Sequence, residues 1–150
     1  MQTPAVSKNE FFVRLSSVES KSFFDNLKEK DVALSPETLQ VAHSVSIIVL
    51  GDEELGVEVG LKYGSGEESF SEIRVVFRFA VIGLQNIMKI DKETKQVEFD
   101  ESLLRVIVPL SFSTARGYMA AKLEKSPLAQ YPFPIIGTEA LLKTCQILLK

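Results

Sequence analysis

Residues 55–63 have the sequence Leu-Gly-Val-Glu-Val-Gly-Leu-Lys-Tyr, in which an apolar or aromatic side chain occupies every second position. Side chains of a β-strand point alternately to the two faces of a sheet, so this segment predicts a strand with one face in a core. The same alternation recurs in residues 11–18, 41–50 and 73–81. The sequence therefore predicts four strands in its first half.

Short connections join the last three of these strands. Gly51-Asp52-Glu53-Glu54 separates the second strand from the third, and Gly64-Ser65-Gly66-Glu67 separates the third from the fourth. Connections this short link antiparallel neighbours, because parallel strands need a long crossover. Roughly twenty residues separate the first strand from the second. That length allows the first strand to cross over and pair with the fourth, although the sequence does not fix its position.

The second half of the chain changes to a helical period. Asp100 is a residue type that caps helices, and Pro109 predicts a kink or a helix start nearby. The segment 85–100 predicts either a small hairpin around residues 91–95 or a loose loop. A helical stripe follows, formed by Leu104, Val108, Phe112, Ala115, Met119 and Leu123.

Three prolines, Pro127, Pro132 and Pro134, predict an extended connector after this helix. Thr138 can cap a last helix, whose apolar stripe would run from Leu141 through Cys145 to Leu149. A chain of 150 residues suits one domain. The expected fold is thus a single α+β domain over residues 1–150, with a four-stranded antiparallel sheet, a kinked helix, a Pro-rich connector and a C-terminal helix.

Composition limits the classes of function. The chain is 45% hydrophobic and 25% charged with a net charge of −3, which argues against disorder and against nucleic acid as the main partner. A single cysteine cannot form an internal disulfide, which indicates a reducing compartment. The first residues lack a signal-peptide pattern, and no apolar run is long enough to insert into a membrane. We expect a cytoplasmic protein.

Few residues offer chemistry. His43, the only histidine, is expected to be half-buried at the start of the second strand, and Cys145 is expected to be a core thiol. No metal-ligand spacing is present, and a nucleophilic serine would need a base with an orienting carboxylate. The turn at Gly64 lacks the lysine of a phosphate-binding loop. We therefore expect no catalytic residue, no cofactor and no metal.

Four aromatic residues fall in predicted loop segments, where they are not required to form the core. Phe23 and Phe24 fall in the predicted crossover, and Tyr131 and Phe133 fall in the connector. Aromatic grooves beside a sheet edge hold extended peptides, so these four residues are the candidate peptide-binding groove. The alternative carries equal weight: the rings pin two loops to the body. In the first case, alanine at Tyr131 and Phe133 would weaken peptide binding without unfolding the domain.

The second face of the predicted sheet is more apolar than a solvated face needs to be. A covering loop or helix would explain this, and so would a sheet-to-sheet interface between subunits or a client-binding surface. Phe12, Ile48 and Val76 are the candidate interface residues. The apolar residues assigned to this face are Phe12, Val18, Ile48, Leu50, Val76, Ala80 and Ile82.

The order of elements and several local motifs resemble the SecB family of export chaperones. Val57–Leu84, with its Gly64–Glu68 turn and its Ile82-Gly83 step, is similar to the third and fourth strands of that family. Pro109–Met119, which contains Ala115-Arg116, resembles the Pro-Tyr-Ala-Arg…Met segment of its helix.

The resemblance continues to residue 149. Phe133-Pro134-Ile135 and Glu139-Ala140-Leu141 resemble the connector and the final helix of the family. The chain departs from the family in a longer spacing after Pro109 and in a charged 85–100 segment. It also ends at the last helix, without the tail by which typical members contact the SecA motor.

The resemblance implies a holdase that binds unfolded or preprotein polypeptides without nucleotide. It also implies a homotetramer built as a dimer of dimers. The partner would be a translocase motor ATPase in protein export, or a dedicated toxin–antitoxin client. Two alternatives stay open: a small α+β enzyme with a pocket carboxylate, and a structural oligomer subunit without a client. Helices that follow the sheet count against the enzyme.

Overall fold

The computed structural model describes residues 10–27 and 34–149. The predicted α+β fold, an antiparallel sheet followed by helices, is confirmed. A 3₁₀ turn, Pro127–Gln130, lies in the connector. The elements are β1 (Phe12–Asp25), β2 (Gln40–Gly51), β3 (Glu54–Ser65), β4 (Glu68–Ile82), α1 (Leu84–Ile87), β5 (Met88–Ile90), β6 (Val97–Phe99), α2 (Glu101–Lys122), α3 (Thr138–Thr144) and β7 (Gln146–Leu149).

The main sheet has the strand order β1-β4-β3-β2-β7, so β3 lies in its centre. β3 pairs antiparallel with β4 and β2, and Val57 lies opposite Phe77 on one side and Ile47 on the other. β1 lies beside β4, the position that the crossover length allowed. The alternating side chains of β3 are confirmed as core, because Leu55, Val57, Val59 and Leu61 are fully buried.

Helix α2 covers one face of the sheet, which we call the helix face. Asp100 caps the helix as predicted, and its Oδ1 accepts a hydrogen bond from the Ser102 backbone N–H at 2.9 Å. Pro109 lies inside the helix, well after its first residue, Glu101. Within the described ranges, no helix combines the length and apolarity that a bilayer span requires. The buried residues of α2 are Leu103, Ile107, Val108, Ser111, Phe112, Ala115 and Met119.

β1 is longer than predicted and changes face along its length. It extends to Asp25, so Phe23 and Phe24 lie in a strand and not in a crossover loop. Register shifts occur between Leu15 and Ser17 and between Ser20 and Ser22. An extra residue at a bulge moves the following side chains to the other face. Val18 therefore lies opposite Phe77 on the helix face, and its assignment to the second face was wrong.

The last predicted helix is shorter than expected. α3 ends at Thr144, and Gln146–Leu149 form β7, which pairs in parallel with β2. Consecutive Ile147 and Leu148 suit a strand that is apolar on both faces, and the open edge of β2 supplies backbone partners that a helical count does not consider. In the 85–100 segment, β5 and β6 form the hairpin that was one of two alternatives.

The central position of β3 predicts that substitutions of two adjacent residues on opposite faces, Leu61 and Lys62, change the free energy of unfolding by very different amounts. Leu61→Ala should lower the free energy of unfolding by about 2–5 kcal/mol, because it leaves a cavity in a fully buried site. Lys62→Ala, on the half-exposed face, should change it by less than about 0.5 kcal/mol. Urea denaturation measures both values. Equal effects would contradict the placement of β3 in the core.

Candidate functional site

The four residues of the expected peptide-binding groove do not form one surface. Phe23 lies opposite Ile73 on the helix face, whereas Phe24 lies opposite Glu72 on the second face. Neighbouring residues of a strand cannot line one groove, because they point in opposite directions. Phe23 is half-buried, and Phe24 is 37% exposed. Only Phe23 shares a face with the connector aromatics.

Tyr131 fastens the connector to the sheet and to the segment before β2. Its backbone carbonyl accepts a hydrogen bond from the Tyr63 hydroxyl at 2.6 Å. Its own hydroxyl donates to the Leu34 carbonyl at 3.5 Å. These contacts leave the ring half-buried. For Tyr131, the contacts fit the alternative in which the ring pins a loop.

Phe133 belongs to the core, since only 5% of it is exposed. Its ring packs edge-on against Tyr63 and Phe112, with centroid distances of 5.6 and 6.1 Å. Its carbonyl accepts two hydrogen bonds from the Arg116 guanidinium, at 3.1 and 2.9 Å. No local sequence pattern predicts that Phe133 is buried, because its ring partners Tyr63 and Phe112 are distant in sequence.

A small pocket lies between the connector and α2. Its volume of about 90 Å³ would admit one small apolar side chain. The hydrogen bonds of Tyr63 and Arg116 to the connector fix its walls. The lining residues are Tyr63, Arg116, Met119, Ala120, Leu123, Leu128, Ala129, Pro132 and Phe133.

Exposed apolar side chains lie on β1, which α2 leaves incompletely covered, and on α2 itself. Leu15 and Val18 of β1 lie on the helix face and are 42% and 49% exposed. Val106 and Leu110 of α2 are 44% and 47% exposed. We call these four residues the β1–α2 strip. The alternation and helical-stripe patterns do not single out these residues as a surface, although Val106 and Leu110 are apolar residues outside the predicted helical stripe.

Contacts near Lys122 show which flank of α2 faces β1. Lys122 Nζ lies 5.8 Å from the ring centroid of Phe23 in β1 and 5.5 Å from that of Tyr118. Side chains spaced by four residues form a ridge along a helix, and Leu110, Tyr118 and Lys122 belong to one such ridge. Each step of four residues along this ridge turns by about 40° around the helix axis, so Lys122 marks the β1 side only near the C-terminal end of α2, and Leu110 begins the same ridge three steps earlier.

The second face carries the three candidate interface residues, as predicted. Phe12 is 45% exposed, Ile48 is half-buried, and Val76 is 7% exposed. Charged pairs lie among them: Arg78 donates to Glu54 at 3.4 Å, and Arg74 donates to Glu72 at 2.9 Å. This face mixes apolar and charged residues, with Val76 between Arg74 and Arg78 along β4. Its role as an interface stays a prediction.

His43, Cys145 and Asp100 each contact residues that belong to the fold. His43 is half-buried on the helix face, with its ring edge-on to Phe112 and its Nε2 3.4 Å from Thr144 Oγ1. Cys145 is half-buried after α3, not inside a helical stripe, and burial raises the pKa of its thiol. Hydrogen bonds from Ser102 lower the pKa of Asp100. Among the described residues, no three His, Cys, Asp or Glu side chains form a group that could hold a metal ion.

Comparisons with known proteins identify no family for the chain. No protein-family model matches it. No curated protein matches it at a significant level of sequence similarity.

The burial of Phe133 predicts an effect on stability that the sequence did not suggest. Phe133→Ala should lower the free energy of unfolding by about 3–5 kcal/mol, since it empties a buried site between Tyr63 and Phe112. The control is Ile135→Ala, an apolar truncation in the same connector at a residue that is 83% exposed. Urea denaturation should show little change in the control. A stable Phe133→Ala variant would contradict the core position.

Tyr63 predicts a dependence of stability on alkaline pH. Burial raises its pKa to about 12, although the Arg116 charge opposes part of this shift. The folded state therefore favours the neutral phenol, and the resulting stability is present below pH about 10 and is lost as the pH rises towards about 12. In an ultraviolet titration of the phenolates, Tyr63→Phe should remove the highest of three ionisations. Persistence of that ionisation in the variant would assign it to another tyrosine.

Proposed function

We propose that this chain is a SecB-like holdase, which binds non-native polypeptide through apolar surface and uses no nucleotide. The β1–α2 strip is the observation that carries the proposal. Its side chains come from two different elements and stay more than two-fifths exposed. Single exposed apolar residues are ordinary on a protein surface, but a group that one ligand can contact together marks a site of interaction, and in this proposal the strip is such a group.

The shape of the strip suits an extended chain. Leu15 and Val18 lie along a strand, and Val106 and Leu110 lie one helical turn apart on the neighbouring helix. A client segment lying between them would bury apolar groups on both sides. Each square ångström removed from water contributes about 25 cal/mol before the entropic cost of binding. Such binding depends little on client sequence, which is what a holdase requires.

The element order also supports the proposal. Four antiparallel strands precede a long helix, a Pro-rich connector and a short helix, the order on which the resemblance to SecB rests. In this proposal the protein is cytoplasmic and serves either export with a motor ATPase or a dedicated toxin–antitoxin client.

Assembly is a second part of the proposal. β1 is an outer strand of fourteen residues, so one of its edges has no partner strand among the described residues. Long open edges favour pairing with another chain. Together with Phe12, Ile48 and Val76 on the second face, this edge supports a homo-oligomer built as a dimer of dimers.

The carboxylates with shifted pKa values in the described part of the chain do not favour the enzyme alternative. Asp91 and Asp100 have lowered pKa values because they accept hydrogen bonds within a turn and at a helix start. A general acid needs the opposite shift, towards neutral pH. The hollow beside Asp52 and Glu53 is wide and open. We therefore propose no catalytic residue.

The strip can be tested by adding one charge to it. Leu110→Glu should reduce severalfold the suppression of aggregation of a chemically denatured test protein, because a carboxylate in the strip would have to lose its hydration when a client binds. Gln96→Glu adds the same charge at an exposed residue of the loop before β6, outside the strip, and should have little effect. Light scattering during dilution from denaturant measures both. Equal activity of the two variants would remove the strip from the client site.

The mass in solution tests the assembly. Size-exclusion chromatography with multi-angle light scattering should give four times the mass of the protomer, and Leu110→Glu should keep that mass. A smaller mass for Leu110→Glu would reassign the strip to contacts between subunits. A monomeric wild-type protein that leaves aggregation unchanged would refute the proposed function.

A further inference from the structure

The short strand β7 occupies only part of an available edge. It pairs with β2 in parallel from Ser46–Gln146 to Val49–Leu149. β2 itself begins at Gln40, and no other strand pairs with its residues 40–45 on that side within the described chain. The end of α3 lies beside this part of the edge, where Thr144 Oγ1 is 3.4 Å from His43 Nε2. A segment longer than β7 could form more backbone hydrogen bonds with β2 if the end of α3 moved away together with β7.

The attachment of β7 is weak by several measures. It has four residues, an outer position in the sheet and parallel pairing, which is slightly less stable per residue than antiparallel pairing. Gln146, Leu148 and Leu149 are exposed, and Ile147 alone is half-buried. Short outer strands with little buried apolar surface open at a low cost in free energy.

The contacts of β7 define what this edge accepts. Ile147 lies beside the fully buried Ile47, whereas Leu148 lies beside Ile48 on the second face. The edge thus takes an extended backbone with apolar side chains on both faces. Backbone hydrogen bonds give such a site affinity, and the side-chain positions give it a preference.

We propose that the edge of β2 at Ser46–Val49 is a strand-acceptor site for an extended apolar segment of a non-native chain, and that β7 occupies this site within the protomer. That the occupant is a non-native chain rests on the proposed function, whereas the acceptor site itself does not. When β7 leaves, the incoming segment takes its place as the outer strand. Because β7 occupies the edge, the apparent association constant of the incoming segment equals its intrinsic value multiplied by the fraction of molecules in which the edge is open.

A reversible covalent lock tests the site. Ile48→Cys and Leu148→Cys introduce cysteines at residues that lie opposite each other in the register, and Cys145→Ser removes the native thiol from the same protein. Oxidation ties β7 to β2, and reduction releases it. The probe is a fluorescein-labelled peptide with the sequence Lys-Gln-Ile-Leu-Leu-Lys, followed by fluorescence anisotropy. A peptide with proline in place of the isoleucine is the control, because it lacks a backbone donor.

The reduced protein should bind the probe at least about tenfold more tightly than the oxidised protein. Binding of the control peptide should be weak in both states. Equal binding of the probe to the two states would overturn the proposal.

A second variant opens the site without a disulfide. Ile147→Asp places a carboxylate beside Ile47 and should release β7, which raises the affinity of the probe above that of the wild-type protein. Hydrogen exchange should show faster exchange of the β7 amides, with the amides of β3 unchanged. Fast exchange in β7 without tighter binding would also overturn the proposal. If the cysteine variant binds the probe only when reduced, but the wild-type protein never slows aggregation, the holdase function is refuted and the acceptor site stands.

Discussion

The structure depends on the burial of one face of β3 and on the glycines of its other face. Its apolar face packs under α2, where Leu55, Val57, Val59 and Leu61 lose all contact with water. Its other face carries glycines that make room for neighbouring strands. A Cβ at Gly60 would lie 2.7 Å from Ser44 Oγ, and a Cβ at Gly56 would lie 3.2 Å from Leu50 Cδ1. Side chains of neighbouring strands can therefore approach the backbone of β3, which is buried at both glycines.

The position of α2 follows from this central burial and leaves the outer strand incompletely covered. One helix is about 10 Å wide, whereas adjacent strands are separated by nearly 5 Å, so a single helix shields only about two strands well. α2 packs mainly on β3, and β1 lies two positions away in the sheet. Leu15 and Val18 remain exposed on the helix face for this reason. The proposed client surface thus results from the geometry that stabilises the core.

The connector was expected to contribute to a peptide-binding groove, but Phe133 packs into an aromatic cluster of the core. Tyr63, Phe112 and Phe133 come from a strand, a helix and the connector, and their rings meet edge-on. Arg116 and the Tyr63 hydroxyl satisfy the carbonyls of Phe133 and Tyr131. A proline-rich segment forms few hydrogen bonds of its own, so these side chains hold it in place. The contacts of the aromatic residues in the connector therefore indicate a role in stability and not in peptide binding.

The sequence alone determined the four strands, their antiparallel connections, the start of α2 at its Asp100 cap and the two faces of β2, β3 and β4. These features are local, because alternation, helical spacing and cap residues act through neighbouring positions of the chain. Tertiary structure decided the rest. The bulges of β1 exchange the faces of its side chains, and the open edge of β2 converts the expected end of the last helix into β7. Whether Phe133 is core and Leu110 is surface depends on partners far apart in sequence, since burial is set by the packing of whole elements and not by the pattern within one.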